Sequence, residues 1–429
     1  MNTRTALVFA LACTLPLLAA CQRDTTSTKP GTGHYAVQPW ALPAEAGSLA
    51  PDLSQTPDGR LLLGWINRRE GRRNALQFAS YSVDAGWQSQ PRTIAVGNSL
   101  IANAADTPHL LATPDGALWV QWLQTRPDAP SGYDTMLARS RDGGMTWAQI
   151  TRVNEDDTPA EHGFAALWPA TADAAGIAWL DGRAQGGEHG GAGASAEHAS
   201  DAEHPAGGAM QLRANRFTLD MERGTDAVVA ARTCDCCQTA VAMTASGPLL
   251  AWRGRDADDV RDIVVARLAQ TGWSTPQPVH VDGWQVHACP LAGPALAASG
   301  TTAVVAWYSA AHDQPLVQLA RSLDGGARFA TPVVVASGPA VAGRVAVALD
   351  AQQVWVAWLR EQGKGQVLEL ARYAPDLSRR LQTFTVATLA TRGMASGYPR
   401  LVASHGSAWL VWTDVTGGTP HLKGAQVTR

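Results

Sequence analysis

Short apolar runs that end in tryptophan recur along the chain and indicate a repeat protein. Seven such runs are present, and the tryptophans that end them are 57, 57, 73, 55, 51 and 54 residues apart. In chain order these are Trp65, Trp122, Trp179, Trp252, Trp307, Trp358 and Trp412. A near-constant period of this length is the usual sign of stacked, similar structural units. We therefore divide the chain into seven units.

Each unit carries signals for four short β-strands and none for a helix. A turn such as 57–59 (PDG) precedes the tryptophan run, and a second apolar run such as 263–268 (IVVARL) follows it. Another turn and a last strand rich in Val then complete the unit. Four-stranded units at this period predict an all-β fold, a β-propeller with seven blades, or six with an extra hairpin as the second choice. The last unit, 398–429, has room for three strands, so we expect segment 35–42 to supply the fourth.

Two turns carry a more specific motif. Residues 140–147 read SRDGGMTW and residues 322–329 read SLDGGARF. They resemble the Asp-box of the sialidase superfamily, S-x-D-x-G-x-T-W, a family also described by its BNR repeats. In such a turn the aspartate accepts backbone N–H groups and the glycines adopt positive φ. The resemblance implies the propeller fold over 35–429 and puts these turns on the face away from the ligand, so it does not establish catalysis.

The N-terminus has the pattern of an export signal. Residues 6–20 are almost wholly apolar after a basic start, and the letters LAAC that end at Cys21 resemble the lipobox of bacterial lipoproteins. The resemblance implies lipidation of Cys21 and removal of residues 1–20, with 21–33 as a flexible tether and 34–429 as the propeller. Gln22 is the residue usual in lipoproteins sent to the outer membrane. We therefore predict a lipid-anchored protein of the bacterial cell envelope, on either side of the outer membrane.

Composition narrows the classes of partner. The chain has 45% hydrophobic and 17% charged residues and a net charge of −3, which argues against disorder and against nucleic acid as the main partner. The remaining candidates are the membrane through Cys21, a small anionic or glycan ligand, and another envelope protein.

Arginine recurs in the loops expected at one face. In a propeller, the loops before each first strand and between each second and third strand surround the axis on the same face. The arginines in these loops are Arg68, Arg183, Arg255, Arg344, Arg360 and Arg400. Guanidinium groups suit a carboxylate, sulfate or phosphate ligand. Alternatively, each pairs with a neighbouring aspartate, as Arg183 could with Asp181, and stiffens its loop.

The resemblance to sialidases implies a set of catalytic groups to look for. That chemistry uses an arginine triad, an aspartic acid/base and a tyrosine nucleophile primed by a glutamate. Tyr398 and Asp106 are the candidates here. The sequence shows no clear glutamate partner for Tyr398 and no Arg-Ile-Pro motif after the first strand. We therefore predict a binding role, with an exo-acting, sialidase-type glycoside hydrolase as the alternative.

Four cysteines are expected to meet near the axis. Cys234, Cys236 and Cys237 form one cluster, and Cys289 follows shortly after His287 in the next unit. Disulfides are the default in an oxidising compartment, and the least strained full pairing joins Cys234 to Cys237 and Cys236 to Cys289. Because every full pairing closes a very small ring, two alternatives remain: free thiols, or a soft metal, copper or zinc, bound by the four cysteines and His287. The cluster also resembles that of periplasmic sialidase-like propellers of unassigned role.

The long gap between the third and fourth tryptophans holds an insertion, 184–208. Three histidines in it, His189, His198 and His204, each follow a glutamate in a Gly/Ala-rich background. Such a background cannot build a core, so we predict a mobile loop. Imidazole and carboxylate groups suit copper or zinc, and a tolerated low-complexity insertion is the alternative.

Overall fold

The computed structural model describes residues 34–68, 73–88, 90–185, 208–393 and 395–429. The predicted signal and tether, Cys21, and the three histidines of the insertion lie outside these ranges. None of the helices within the described ranges is long and apolar enough to span a membrane.

The described chain folds into seven antiparallel sheets in sequence order, which confirms a seven-bladed β-propeller. Blade 1 contains β2 (Ser48–Gln55), β3 (Leu61–Asn67), β4 (Asn74–Ser82), β5 (Gly86–Trp87) and β6 (Arg92–Gly97), and blade 2 contains β7 (His109–Ala112), β8 (Leu118–Arg126), β9 (Ala129–Ser140) and β10 (Ala148–Arg152). Blade 3 contains β11 (His162–Pro169), β12 (Ala175–Asp181), β13 (Gln211–Phe217) and β14 (Ala227–Ala230), and blade 4 contains β15 (Ala240–Thr244), β16 (Gly247–Arg253), β17 (Ile263–Ala269), β18 (Gly272–Trp273) and β19 (Gln277–Pro278). Blade 5 contains β20 (Ala295–Ser299), β21 (Thr302–Ser309), β22 (Leu316–Ser322) and β23 (Val333–Ser337), and blade 6 contains β24 (Val341–Leu349), β25 (Val354–Gln362), β26 (Gly365–Tyr373) and β27 (Arg380–Leu389). Blade 7 contains β28 (Gly397–Ser404), β29 (Ser407–Thr416), β30 (Thr419–Thr428) and β1 (Ala36–Pro39), and short 3₁₀ helices cover Arg183–Gln185 and Ala311–Asp313.

The N-terminal strand closes the ring, as the sequence predicted. β1 pairs with β30 in antiparallel register, with Ala36 opposite Thr428. Tyr35, just before β1, is 1% exposed, and its hydroxyl donates to the carbonyl of Gly406 at 2.9 Å. The Arg372 guanidinium lies 3.9 Å from the centre of its ring. The start of the described chain is thus held inside the last blade.

The seven repeat tryptophans occupy equivalent places. Each lies on the second strand of its blade and is at most 5% exposed. The core lies between neighbouring blades; Trp119 and Leu137 of blade 2, for example, pack with Ile177 and Trp179 of blade 3. These second strands are apolar on both faces because a sheet covers each face, which explains their unbroken apolar runs.

The two Ser-x-Asp-Gly-Gly turns join the third and fourth strands of blades 2 and 5. Asp142 accepts the N–H groups of Met145 and Thr146, both at 2.9 Å. Gly144 has a φ of +84°, and a Cβ there would lie 2.1 Å from the ring of Phe78. The turn therefore requires glycine for both its conformation and its packing.

The first strands of four blades share a β-bulge. The register shifts after Leu49, Gly163, Gly343 and Gly397, in blades 1, 3, 6 and 7. The bulged residues, which have φ between +49° and +55°, are Ala50, Phe164, Arg344 and Tyr398. Such bulges redirect side chains. We refer to these four positions as the bulge positions.

Candidate functional site

A cavity of about 280 Å³ lies on the propeller axis. The first strands of all seven blades contribute to its wall. Its main polar side chains are Asp52, His109, Gln238, Arg344, Tyr398 and Arg400. The ring thus brings together residues that are up to about 350 positions apart in the sequence, as the repeat period implied.

Arg400 and Asp52 face each other across the junction of blades 7 and 1. Each lies two residues after a bulge position, and Arg400 Nε is 3.9 Å from an Asp52 carboxylate oxygen. Asp52 also contacts His109 Nδ1 at 3.0 Å and accepts the N–H of Leu110 at 2.8 Å. Burial opposes ionisation of Asp52, but His109, Arg400 and the Leu110 N–H outweigh it and lower the pKa of this carboxyl group. Asp52 therefore carries a full negative charge at neutral pH.

Arg344 and Tyr398 occupy bulge positions in neighbouring blades and contact each other. The Arg344 guanidinium lies 4.5 Å from the centre of the Tyr398 ring and donates to the carbonyl groups of Gly393 and Ser396. The buried Tyr398 hydroxyl makes no well-aligned hydrogen bond within the described ranges, and the Arg344 and Gln238 side chains lie near it. Burial raises the pKa of Tyr398 above its usual value. This tyrosine is therefore protonated at neutral pH and available to a ligand as a neutral donor.

Asp106 makes a backbone contact like that of Asp52, but it lies in the segment before β7 and its surroundings differ. It accepts the N–H of Phe164 at 2.7 Å, as Asp52 does from Leu110 at 2.8 Å. Whereas His109 precedes Leu110, Gly163 precedes Phe164, and a Cβ there would be 2.2 Å from an Asp106 oxygen. The other Asp106 oxygen is buried without a hydrogen bond. Burial, with some repulsion from Glu161, raises the pKa of Asp106 to about 7 despite the Phe164 N–H and Arg400.

A second tyrosine, Tyr133, lies beside Asp106 and has the glutamate partner that Tyr398 lacks. Tyr133 is buried and hydrogen-bonded to Glu161, and burial followed by the charges of Glu161 and Asp106 raises its pKa well above the usual value. Burial also raises the pKa of Glu161. We did not predict this pair from the sequence. The sequence offered one signal for it: Tyr133 lies close to the loop between the second and third strands of blade 2, at the start of β9.

The six predicted arginines divide between the axial cavity and the loops around it. Arg344 and Arg400 line the cavity. The other four lie elsewhere: Arg183 contacts Asp181 at 2.7 Å and Asp156 at 2.9 Å, Arg255 contacts Asp235 at 2.7 Å and Asp259 at 2.6 Å, Arg360 contacts Glu369 at 3.2 Å, and Arg68 is exposed after β3. Three of these four thus form the ion pairs that the sequence left open as the alternative.

A buried histidine, His162, lies among carboxylates near Arg183. Its Nε2 is 3.2 Å from Asp156 and 3.7 Å from Asp181. The three side chains could in principle coordinate a metal ion. The Arg183 guanidinium already contacts both carboxylates and balances their negative charge. We therefore interpret this cluster as a structural ion-pair network.

The cysteines meet between blades 4 and 5. Cys236 and Cys289 form a disulfide with a Cα–Cα distance of 6.1 Å, whereas Cys234 and Cys237 are free, buried thiols. Burial opposes ionisation of Cys234, but its hydrogen bond with Cys237, a backbone N–H and Arg261 lower its pKa to about 7. Burial raises the pKa of Cys237 well above the usual value. His287 is 76% exposed and contacts Asp259 at 2.9 Å.

Comparison with known proteins identifies the fold. No protein-family model and no curated protein matches the chain. Among solved structures, it is similar to polysaccharide lyase Uly1, with a TM-score of 0.50 and 7% identity over 89% of both chains. It is also similar to a protein of unknown function from Dyadobacter fermentans, with a TM-score of 0.48 and 14% identity over 89% of this chain and 95% of that one. A Trypanosoma rangeli sialidase in complex with the inhibitor DANA has a TM-score of 0.45 and 11% identity over 88% of this chain and 60% of that one. At these identities the likeness extends to the fold alone.

Proposed function

We propose that the axial cavity binds a small anionic ligand, an acidic sugar in particular. The observation that carries this proposal is the excess of positive charge on the cavity wall. Arg344 and Arg400 are both cationic, and among the described residues Asp52 is the one carboxylate on the wall. Asp106, near Arg400, has a pKa of about 7 and carries only part of a charge at neutral pH. A ligand carboxylate, sulfate or phosphate would balance the remaining positive charge.

The surroundings of the two arginines leave them able to bind a ligand. Within the described ranges, no carboxylate lies within 4.0 Å of the Arg344 guanidinium, which is held by backbone carbonyl groups. Arg400 is held by the Pro51 carbonyl and the Thr107 hydroxyl, and its nearest carboxylate contact is at 3.9 Å. Both guanidinium groups are thus positioned mainly by neutral acceptors, and this preorganisation lowers the entropic cost of binding.

The size and lining of the cavity suit a single sugar residue. Its volume of about 280 Å³ is near the lower limit for small-molecule sites. Apolar groups such as Leu110, Leu167 and Leu296 share the wall with the polar side chains. A ring with one apolar face and several hydroxyl groups would find both kinds of contact there.

Binding measurements with arginine variants test the proposal. Titration calorimetry on the full-length protein should show binding of glucuronate, galacturonate or N-acetylneuraminate, and none of neutral glucose. Arg344→Gln should weaken binding at least about 10-fold, since a hydrogen bond to a charged group contributes about 1.5–3 kcal/mol. Arg360→Gln is the matched control, because Arg360 pairs with Glu369 outside the cavity. Failure of the wild type to bind any acidic sugar, or an equal loss in the control, would contradict the proposal.

We keep exo-acting glycoside hydrolysis as a second candidate because of one cluster. Asp106 has a pKa near neutrality and lies beside the Tyr133–Glu161 pair, so an acid/base group and a carboxylate-bonded tyrosine are close together. Release of sugar from fluorogenic α-sialosides should then be abolished in Asp106→Asn and Tyr133→Phe. Tyr398→Phe should retain activity if Tyr133 is the nucleophile, and should lose it if Tyr398 is. No turnover by the wild type would exclude the hydrolase.

We propose, from the sequence alone, that the propeller is exported and anchored by a lipid on Cys21 in the outer membrane. Globomycin treatment should cause the uncleaved precursor to accumulate, and Cys21→Ser should release the protein from the membrane fraction. Docking of another envelope protein would appear as one dominant crosslinked species in intact cells.

A further inference from the structure

The two free cysteines form a buried thiol pair, Cys234 and Cys237. Each is 1% exposed. Their sulfur atoms and that of Cys236 all lie within 4.8 Å of one another. Since Cys236 is bonded to Cys289, two sulfur atoms remain free to act as ligands at this point.

The thiol pair lies in a positively charged environment. Arg261 Nη1 is 3.5 Å from Cys234 Sγ, and the Arg261 side chain is 2% exposed. Arg253 is 1% exposed and donates to the carbonyl groups of Ala292, Arg261 and Tyr308. The buried Nε of Arg261 makes no hydrogen bond within the described ranges. Arg253 makes no ion pair within the described ranges, whereas Arg261 contacts Asp259 at 3.6 Å. Two buried guanidinium groups with a single carboxylate between them favour a further negative group beside them.

We propose that the buried thiol pair binds one Cu(I) ion. Thiolates are the soft ligands that select Cu(I). The sulfur atoms lie no more than 4.8 Å apart, so both thiolates can bind the same metal ion at about 2.3 Å per metal–sulfur bond. Two thiolates and one Cu(I) give a net charge of −1, which the buried guanidinium groups offset. Binding releases the thiol protons and leaves copper in the same oxidation state, so no oxidant or reductant is required.

The same geometry disfavours zinc. Structural Zn(II) sites use four ligands, and the described residues place no imidazole or carboxylate within the group of sulfur atoms. His287, the fifth ligand candidate from the sequence, contacts Asp259 instead and is largely exposed. A divalent ion would also be repelled more strongly than a monovalent ion by Arg253 and Arg261.

The pair lies directly behind the wall of the axial cavity. Gln238, the residue after Cys237, lines the cavity, as do Ala292 and Gly293 from the segment that carries Cys289. Cys237 is also close enough to Tyr398 to raise the pKa of that tyrosine. The proposed copper site therefore adjoins the axial cavity.

Copper titration under anaerobic, reducing conditions tests the inference. The full-length protein should retain one Cu(I) per chain against bathocuproine disulfonate, and X-ray absorption should show sulfur scatterers alone in the first shell. Cys234→Ser and Cys237→Ser should each abolish this retention. His287→Ala is the matched control and should retain one equivalent. Near-UV circular dichroism of each variant shows whether it has folded, and Cys234→Ala provides a second, less polar replacement at the same position.

Several outcomes would overturn the inference. Two freely titrating thiols without retained copper would show that the pair is not a metal site. A Cys234–Cys237 disulfide in protein isolated from the periplasm would show that the second predicted disulfide forms instead. Nitrogen scatterers in the first shell, or retention of copper by folded Cys237→Ser protein, would show that histidines elsewhere bind the copper. Stoichiometric zinc in place of copper would refute the charge argument.

Discussion

Substitution of Asp106 by asparagine should change how the stability of the protein depends on pH. Asn keeps an oxygen that can accept the Phe164 N–H and has nearly the same volume, but it does not ionise. The wild-type carboxyl group is buried, has one oxygen without a partner, and has a pKa of about 7 rather than 3.8. The variant therefore isolates the free energy of ionising this one group in the folded state.

The magnitude follows from the pKa difference. A rise from 3.8 to about 7 is about 3 pH units, and at about 1.4 kcal/mol per unit it corresponds to about 4 kcal/mol. Between these two values the folded chain binds one more proton than the unfolded chain. The free energy of unfolding of the wild type should therefore fall as the pH rises from about 4 to about 7, and this contribution should be constant above that range. Relative to wild type, Asp106→Asn should gain up to about 4 kcal/mol between pH 4 and pH 8.

Urea unfolding followed by tryptophan fluorescence at a series of pH values provides the assay. Asp52→Asn is the control of opposite sign. The pKa of Asp52 is lowered in the folded state, so its contribution to stability is present above the unfolded pKa and is lost as the pH falls through the folded pKa. Parallel pH profiles for wild type and Asp106→Asn would refute the reasoning, because they would mean that Asp106 is ionised in the folded state at little cost.

Three further predictions, one of them with a matched control, are tested by thermal and urea unfolding. Gly144→Ala should cost about 2–4 kcal/mol from strain and from the clash with Phe78, whereas Gly116→Ala, which has the same φ of +84° but open space around it, should cost about 1 kcal/mol; equal losses would contradict the packing argument. Tyr35→Ala should cost about 3–5 kcal/mol because it removes a buried ring that holds the closing strand, and a loss below about 1 kcal/mol would mean that closure does not depend on this residue. Tyr398→Phe should change the free energy of unfolding by less than about 0.5 kcal/mol since the hydroxyl makes no well-aligned hydrogen bond, and a larger loss would show that Arg344 or Gln238 binds it.

The repeat period predicted the fold well because it reports a constraint that every blade shares. Each second strand must be apolar on both faces, so the tryptophan runs are visible without knowledge of the rest. The same period correctly assigned the closing strand near Tyr35. It also indicated that Arg344, Tyr398 and Arg400 would meet, since they occupy matching places in adjacent units.

The site itself was less predictable because it depends on pairwise geometry. Distances of a few ångströms decide whether an arginine can bind a ligand or pairs with an aspartate. In the structure Arg344 contacts Tyr398 and Arg183 contacts Asp181, but the sequence does not distinguish the two arginines. The Tyr133–Glu161 pair joins β9 of blade 2 to the residue before β11 of blade 3, and no local motif marks it. The bulge positions left a faint signal, since three of the four follow a glycine.

The bulges have a consequence for how such a ring could acquire different ligands. At each bulge position the backbone conformation is imposed by the blade, while the side chain varies from Ala to Phe, Arg and Tyr. Arg344 and Tyr398 line the axial cavity, whereas Ala50 and Phe164 are buried outside its wall. A substitution of Arg344 or Tyr398 would therefore alter the cavity wall without altering strand pairing, so the ligand contacts of blades 6 and 7 can be redesigned one blade at a time.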